Sequence, residues 1–170
     1  MIVSADKDFG QLLLNGAEQW DYARGQRWGA SGVSARLGVE AHQVVDFLAL
    51  TGDAIDNIPG VPGIGPKGAA ALLAHFGDLE TLLARVAEIP FLRLRGAASM
   101  ASKLRDHADQ ARLSQRLARI ALDAPVPGHP ERLKRKAPDP VALDALFERF
   151  RFGPITRTRA LKILQSEVAA

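Results

Sequence analysis

The sequence predicts a small α/β portion followed by a mostly α-helical region organised around a helix–hairpin–helix turn. Three observations carry this. A strand-like apolar run, Met1-Ile2-Val3, opens the chain; apolar residues recur at helical spacing from Gly32 onward; and a Gly/Pro-rich segment, Asn57 to Pro66, separates two helical stretches. At 170 residues and 47% hydrophobic content, the chain can bury a real core in one or two small domains.

The elements follow in order. Ile2 to Ala5 reads as a strand and Phe9 to Leu14 as a short helix beneath it. Between Glu18 and Ala30, Trp20, Tyr22 and Trp28 alternate with polar residues about Gly25, which suits a two-stranded ribbon turning near Arg24-Gly25. Val33, Leu37, Val44, Val45, Phe47 and Leu48 then set a helical rhythm. Pro66 stands at a first helical position, and the helix it opens stops at Gly77. Asp78 suits the N-cap of a helix from Leu79 to Val86, ended by Pro90. Ala97 to His107 and Ala108 to Leu117 read as two further helices, and Leu117 to Leu122 as a returning strand. Five prolines between Ala124 and Pro140, with the basic run Arg132 to Lys136, mark a linker. Pro140 to Phe150 forms an amphipathic helix expected to pack on the body, and 155–170 is helix-compatible. Three segments result: 1–31, 32–123 and 124–170.

Two carboxylate pairs stand out. Asp53 and Asp56 close the apolar run from Val44 to Leu50, where a continuing helix would project both from one face. Like charges so close repel unless something positive sits between them, and Mg²⁺ typically takes one or two protein carboxylates plus water and phosphate. The pair equally suits capping of the helix end and the next turn. Asp6 and Asp8 end the first strand, where residues at i and i+2 share a side and Lys7 would point away. Alone, they also suit a solvated strand end.

The hairpin adds a second chemistry. Gly60, Gly63 and Gly65 permit positive φ and close backbone approach, while Pro59, Pro62 and Pro66 stiffen the turn. The free N–H groups of the helix it opens, with Lys67, suit a backbone phosphate. Such contacts read no bases. An ordinary interhelical turn is the other reading, whereas a dinucleotide fingerprint would require a strand before the glycines.

At these residues the chain resembles the 5′-nucleases, the 5′→3′ exonuclease domain of bacterial DNA polymerase I and its flap-endonuclease relatives. The resemblance rests on Ser4-Ala5-Asp6-Lys7-Asp8-Phe9, on Asp46 to Asp53, on Asp56 to Gly65, and on Leu94-Arg95-Gly96. It runs to about Asp123 and more loosely from Leu143 to Phe152. It implies an α/β remnant of the nuclease sheet joined to a helix–hairpin–helix (helix-3-turn-helix) DNA-binding region, the strand after Leu117 rejoining the sheet. It implies Asp6, Asp8, Asp53 and Asp56 as ligands of one of two catalytic Mg²⁺ or Mn²⁺ ions. It further implies Gly60, Gly63, Gly65, Lys67 and Arg95 as DNA contacts, and the carbonyls of Val61 and Ile64 as holders of K⁺. Gly68 stands where the family usually has a small hydroxyl residue.

The resemblance begins at the strand carrying Asp6, so the sequence is read as the C-terminal portion of such a nuclease. The family's opening strand, its other acidic cluster and its threading arch would precede it, and weak catalysis by this portion alone is expected. Implied partners are duplex or 5′-flap DNA, with a polymerase or a separate N-terminal half as further candidates. The alternative is a non-catalytic, sequence-independent duplex-binding module; a purely structural helical protein leaves the aspartates unexplained.

Composition narrows the field. The net charge is only +3, but basic residues gather at Arg93, Arg95, Lys103 and Arg105 and at Arg112, Arg116 and Arg119. These suit a duplex-binding face or a solvated helix surface. The absence of cysteine excludes disulfides, zinc–thiolate sites and cysteine nucleophiles, and the four histidines lack metal spacing. No apolar run is long enough to span a membrane, and a cytoplasmic location is expected.

Overall fold

The computed structural model describes residues 1–125, 128 and 139–168, of which 164–168 are described as helix backbone only. The chain divides into two compact units, Met1–Asp123 and Ala124–Ala170. The basic run Arg132 to Lys136 lies outside the described residues.

In the first unit, β1 (Ile2–Val3) pairs in parallel with β2 (Gln19–Asp21), and β2 pairs antiparallel with β3 (Gln26–Trp28). The β2–β3 ribbon turns at Gly25, whose φ of 63° is open to glycine at little cost. Arg27 lies over Trp20 and Arg36 over Trp28, so the ribbon's tryptophans pack under guanidinium groups. A 3₁₀ helix, Lys7–Leu12, follows β1 after three residues and begins two residues earlier than the predicted short helix.

Helices α1 (Ala30–Leu37), α2 (Val44–Thr51) and α3 (Pro66–Phe76) come next. They are followed by α4 (Leu79–Ala84), a 3₁₀ segment Val86–Phe91, α5 (Ala97–Asp106) and α6 (Ala108–Ala118). The α2 helix is buried from Val44 through Leu50, the mark of a helix surrounded by its neighbours. It packs against α3 and α6. Leu48, Leu50, Leu72, Leu73, Leu79, Leu82, Ile89 and Leu104 fill the centre.

Buried polar groups lock these helices in register. Asp46 on α2 accepts from the Leu79 N–H at 3.1 Å and from Gln115 Nε2 on α6 at 2.6 Å. Gln43 donates to the carbonyls of Leu73 and Gly77, satisfying the end of α3. Asp78 accepts from the Thr81 N–H at 2.8 Å, as its N-cap position predicts.

The predicted returning strand does not form. Helix α6 continues to Ala118, and Gln11 takes the place of a strand neighbour: its Nε2 donates to the Ala118 carbonyl and its Oε1 accepts from the Ile120 N–H, both at 3.0 Å. A side-chain amide thus satisfies the donor and acceptor that a ladder would have used.

The second unit contains α7 (Pro140–Arg149), capped by Asp139, and α8 (Pro154–Val168). Among the described residues of this unit Phe147 is buried, set edge-on to Phe152 with centroids 5.9 Å apart. Val141, Leu146 and Phe150 are exposed.

Candidate functional site: a carboxylate cluster beside a glycine hairpin

The chain leaves β1 at Val3 and is pinned at once, because the buried Gln19 donates from Nε2 to the carbonyls of Ser4 and Asp6. Asp6 then caps the 3₁₀ helix, accepting from the Asp8 N–H at 3.0 Å. This overturns the expected alternation. Because extended backbone gives way to a tight helix at Lys7, the Lys7 side chain turns toward the acidic residues. Its ammonium contacts Asp53 Oδ2 and lies 3.3 Å from Asp8 Oδ1.

The second pair also departs from its expected setting. Helix α2 ends at Thr51, because Gly52 takes a φ of 71°. Asp53 and Asp56 therefore lie in a turn and not on a helix face. That turn is closed by two backbone hydrogen bonds between Asp53 and Ile58, at 2.9 and 2.8 Å, and by the Ile55 N–H donating to Asp53 Oδ1 at 2.9 Å.

The folding of these two segments brings oxygens of Asp8, Asp53 and Asp56 within 4.8 Å of one another. Asp6 is outside that trio but lines the same cavity, of about 430 Å³, together with Lys7, Arg24, Asp53, Ile55 and Asp56. The electrostatics are those of crowded carboxylates. Burial pushes the Asp8 carboxyl up, Lys7 opposes that, and Asp6 and Asp53 add repulsion. The Lys7 hydrogen bond holds Asp53 below its ordinary range, against burial and with help from the Ile55 N–H. For Lys7, burial is outweighed by Asp53 and Asp8, leaving its ammonium more basic than usual.

These residues fit a hard divalent cation. All the donors are carboxylate oxygens, and the buried Asp8 Oδ1 makes no well-directed hydrogen bond, only the 3.3 Å ion pair with Lys7. An ion with Mg²⁺–oxygen distances of about 2.1 Å spans at most about 4.2 Å between opposite ligands. A modest contraction of the trio would reach that span.

The hairpin lies immediately downstream, and its glycines divide by role. Gly60 is buried; its N–H donates to Ser114 Oγ at 3.1 Å and its carbonyl accepts from Gln110 Nε2 at 2.6 Å. Both of its backbone groups are committed to α6. Gly63 and Gly65 are exposed, as is Lys67 on the first turn of α3. Val61 and Ile64 have buried side chains, and the Val61 carbonyl accepts from the Ile64 N–H at 3.1 Å. A Cβ on Gly63 would lie 2.2 Å from Lys103 Nζ, so the lysine of α5 rests on the hairpin turn. A Cβ on Gly68 would meet Met100 Cε, the end of a flexible side chain, at 3.2 Å. Arg95 is exposed just before α5. Arg112 is occupied by Glu80, with two contacts at 2.9 Å.

Some of these contacts have no local sequence signal. Gln110 and Ser114, which fix Gly60, lie on α6 more than forty residues away in sequence. Lys7 reaches Asp53 across 46 positions.

The site is thus a carboxylate cluster next to a glycine hairpin on a helical scaffold. The chain belongs to the 5′-3′ exonuclease family, whose profile, described as 5′-3′ exonuclease, C-terminal SAM fold, matches residues 39–141. Over 125 residues it is 41% identical to DNA polymerase I of Rhizobium leguminosarum, covering 74% of this chain and 12% of that one. It is 39% identical to the flap endonuclease Xni of Shewanella amazonensis, covering 74% of this chain and 47% of the relative. The chain thus spans less than half the length of these curated relatives. Among solved structures, the bacteriophage T5 5′-exonuclease with bound zinc superposes with a TM-score of 0.58 at 22% identity, covering 68% of this chain and 41% of that one. The phage flap endonuclease in a pseudo-enzyme–product complex with DNA and metal ions gives the same TM-score at 21% identity. These likenesses establish the fold: a mostly helical chain with a small three-stranded sheet. Among the described residues no helix is long and apolar enough to cross a membrane.

Proposed function

We propose that this chain is the duplex-holding, carboxylate-bearing part of a 5′→3′ exonuclease or flap endonuclease that hydrolyses DNA phosphodiesters in the cytoplasm. The observation that carries the reading is the trio of Asp8, Asp53 and Asp56 oxygens within 4.8 Å, with the Lys7 ammonium standing 3.3 Å from Asp8 Oδ1. Asp6, Asp8, Asp53 and Asp56 would hold Mg²⁺ or Mn²⁺. When bound, such an ion polarises a phosphoryl oxygen and lowers the pKa of a coordinated water.

The chain's own residues do the rest. The Ile55 N–H and the Ile58 bridge hold Asp53 in place, so its carboxylate is fixed before any ligand arrives. Gly63, Gly65 and Lys67, at the positive end of α3, take a duplex phosphate without reading bases, and Arg95 adds a second backbone contact. Gly60 shapes the turn from within. The Val61 and Ile64 carbonyls are the proposed holders of K⁺; the Val61 oxygen keeps a lone pair beyond the one given to Ile64. DNA polymerase I and flap endonuclease relatives suggest work in replication or repair, with a polymerase or the rest of a nuclease as partner.

One observation favours a second reading, a duplex-binding module without catalysis: the Lys7 ammonium already sits between Asp8 and Asp53. Calorimetric titration with Mn²⁺ separates the two. Binding that disappears in an Asp53→Asn/Asp56→Asn variant supports the nuclease reading. Absence of Mn²⁺ binding, with duplex binding retained, leaves the module.

A further inference from the structure

Asp21 is a buried carboxylate that the reading above does not use. It lies at the end of β2, 3% exposed, and each of its oxygens accepts from Arg24. Oδ1 accepts from the Arg24 N–H at 3.1 Å, and Oδ2 accepts from Arg24 Nη1 at 2.7 Å. The first bond alone suffices to cap the β2–β3 turn. The second does something the turn does not need, because it fixes the direction of a long and otherwise mobile side chain.

That direction is informative. The Arg24 side chain is largely exposed, yet it lines the cavity whose other walls carry Asp6, Asp53 and Asp56. Arg24 pairs with none of those three carboxylates; its salt bridge goes to Asp21, on its own ribbon. Its remaining N–H donors are thus available at the mouth of an acidic cavity. A guanidinium in that position suits a planar oxyanion, and its fork of donors matches a phosphate. Ile55, 90% exposed on the same cavity, offers an apolar surface beside it. A nucleotide has both chemistries, an anionic phosphate and an apolar sugar or base face.

We propose that Arg24 is the phosphate-contacting residue of the carboxylate cavity and that Asp21 is its positioning residue. The ligand is a phosphodiester of the DNA strand that enters the cavity, distinct from the duplex phosphates held at the hairpin. This rests on the proposed nuclease reading. In that setting Arg24 offsets the repulsion between the strand and the carboxylates and places the phosphate next to them.

The test compares two fluorescein-labelled DNAs of matched sequence, a 5′-flap substrate and a blunt duplex, by anisotropy on the full 170-residue chain with Ca²⁺ present. Wild type is expected to prefer the flap. Arg24→Met should weaken flap binding about tenfold and lower the magnitude of its salt slope by about one, with blunt-duplex affinity unchanged. Arg24→Lys should recover part of the loss, since charge returns without the fork. Asp21→Asn should erode the flap preference in the same direction; a merely structural role would lower the melting temperature and leave the preference intact. Equal flap binding by Arg24→Met and wild type overturns the proposal, as does an equal loss on both DNAs, while the nuclease reading survives either. Wild type that binds neither DNA overturns both.

Discussion

Gly60 and Gly52 meet backbone to backbone: a Cβ built on Gly60 would stand 2.3 Å from the Gly52 nitrogen, and both residues have positive φ, 62° and 71°. A Cβ on Gly52 would in turn lie 2.6 Å from the Ile58 carbonyl oxygen. The first glycine of the hairpin is therefore required for the crossing of two chain segments. The same crossing closes the turn that holds Asp53 and Asp56, so hairpin and carboxylate cluster share one structural joint.

Gly60→Ala should accordingly fail as a fold and not as a ligand contact. The displaced atoms are backbone, which cannot move aside cheaply, and the φ adds strain, so a loss of about 3 kcal/mol is expected. Thermal unfolding followed by circular dichroism should show a melting temperature lower by about 6–12 °C. A variant that melts with wild type would mean the two segments do not cross this closely.

Gly65→Ala makes the opposite case. Gly65 has φ −90° and ψ 175°, ordinary extended values, and a Cβ there meets nothing within 4 Å. Its melting temperature should stay within about 2 °C of wild type, because alanine adopts this conformation freely. If a phosphate approaches the hairpin at this point, duplex affinity should nonetheless fall, by about tenfold in a gel shift. Full affinity in a fully folded variant would remove Gly65 from the interface.

Much of this arrangement was legible in the sequence, and the part that was not has a common cause. The β2–β3 ribbon turning at Gly25, α3 opening at Pro66 and α4 capped by Asp78 follow from local chemistry, and all are present. The proximity of Asp8 to Asp53 and Asp56 came from the resemblance and not from spacing. What periodicity missed was set at long range. Gly52 ends α2 where its backbone must pass Gly60, so the second aspartate pair leaves the helix. The Gln11 amide supplies the bonds of the expected strand from 107 and 109 positions away. Lys7 turns inward because a 3₁₀ helix begins where extended backbone was predicted, and two carboxylates attract it there.

Asp78 gives a pH-dependent prediction with a definite sign. The Thr81 N–H holds its carboxyl below the ordinary range, against burial and with help from the Thr81 hydroxyl. A lowered folded-state pKa contributes stability that is present above the unfolded value, near 3.9, and lost as pH falls through the folded one. Asp78→Ala should cost about 1 kcal/mol at pH 7, the usual worth of an N-cap. In urea titrations the gap between variant and wild type should narrow as pH is lowered below about 4. A gap that stays constant with pH would assign the effect to something other than the ionised cap.

Lys7 makes the sharpest prediction about the carboxylate cluster, because its ammonium and a divalent cation would answer the same charge. In the chain as it stands, Lys7 contacts Asp53 and lies 3.3 Å from Asp8, neutralising part of a mutually repelling trio. Lys7→Met keeps the apolar stem and removes that charge. Without metal the variant should be less stable than wild type, since the buried Asp53 carboxylate loses its counter-ion. With Mn²⁺ the order of effects reverses: the ion no longer competes with an ammonium, so its affinity should rise about tenfold by calorimetry, equivalent to about 1.4 kcal/mol. The gain in melting temperature on adding Mn²⁺ should be correspondingly larger in Lys7→Met than in wild type. Adding Asp53→Asn and Asp56→Asn to Lys7→Met should abolish that gain. Equal Mn²⁺ affinity in wild type and Lys7→Met would show that the lysine and the ion do not occupy the same place.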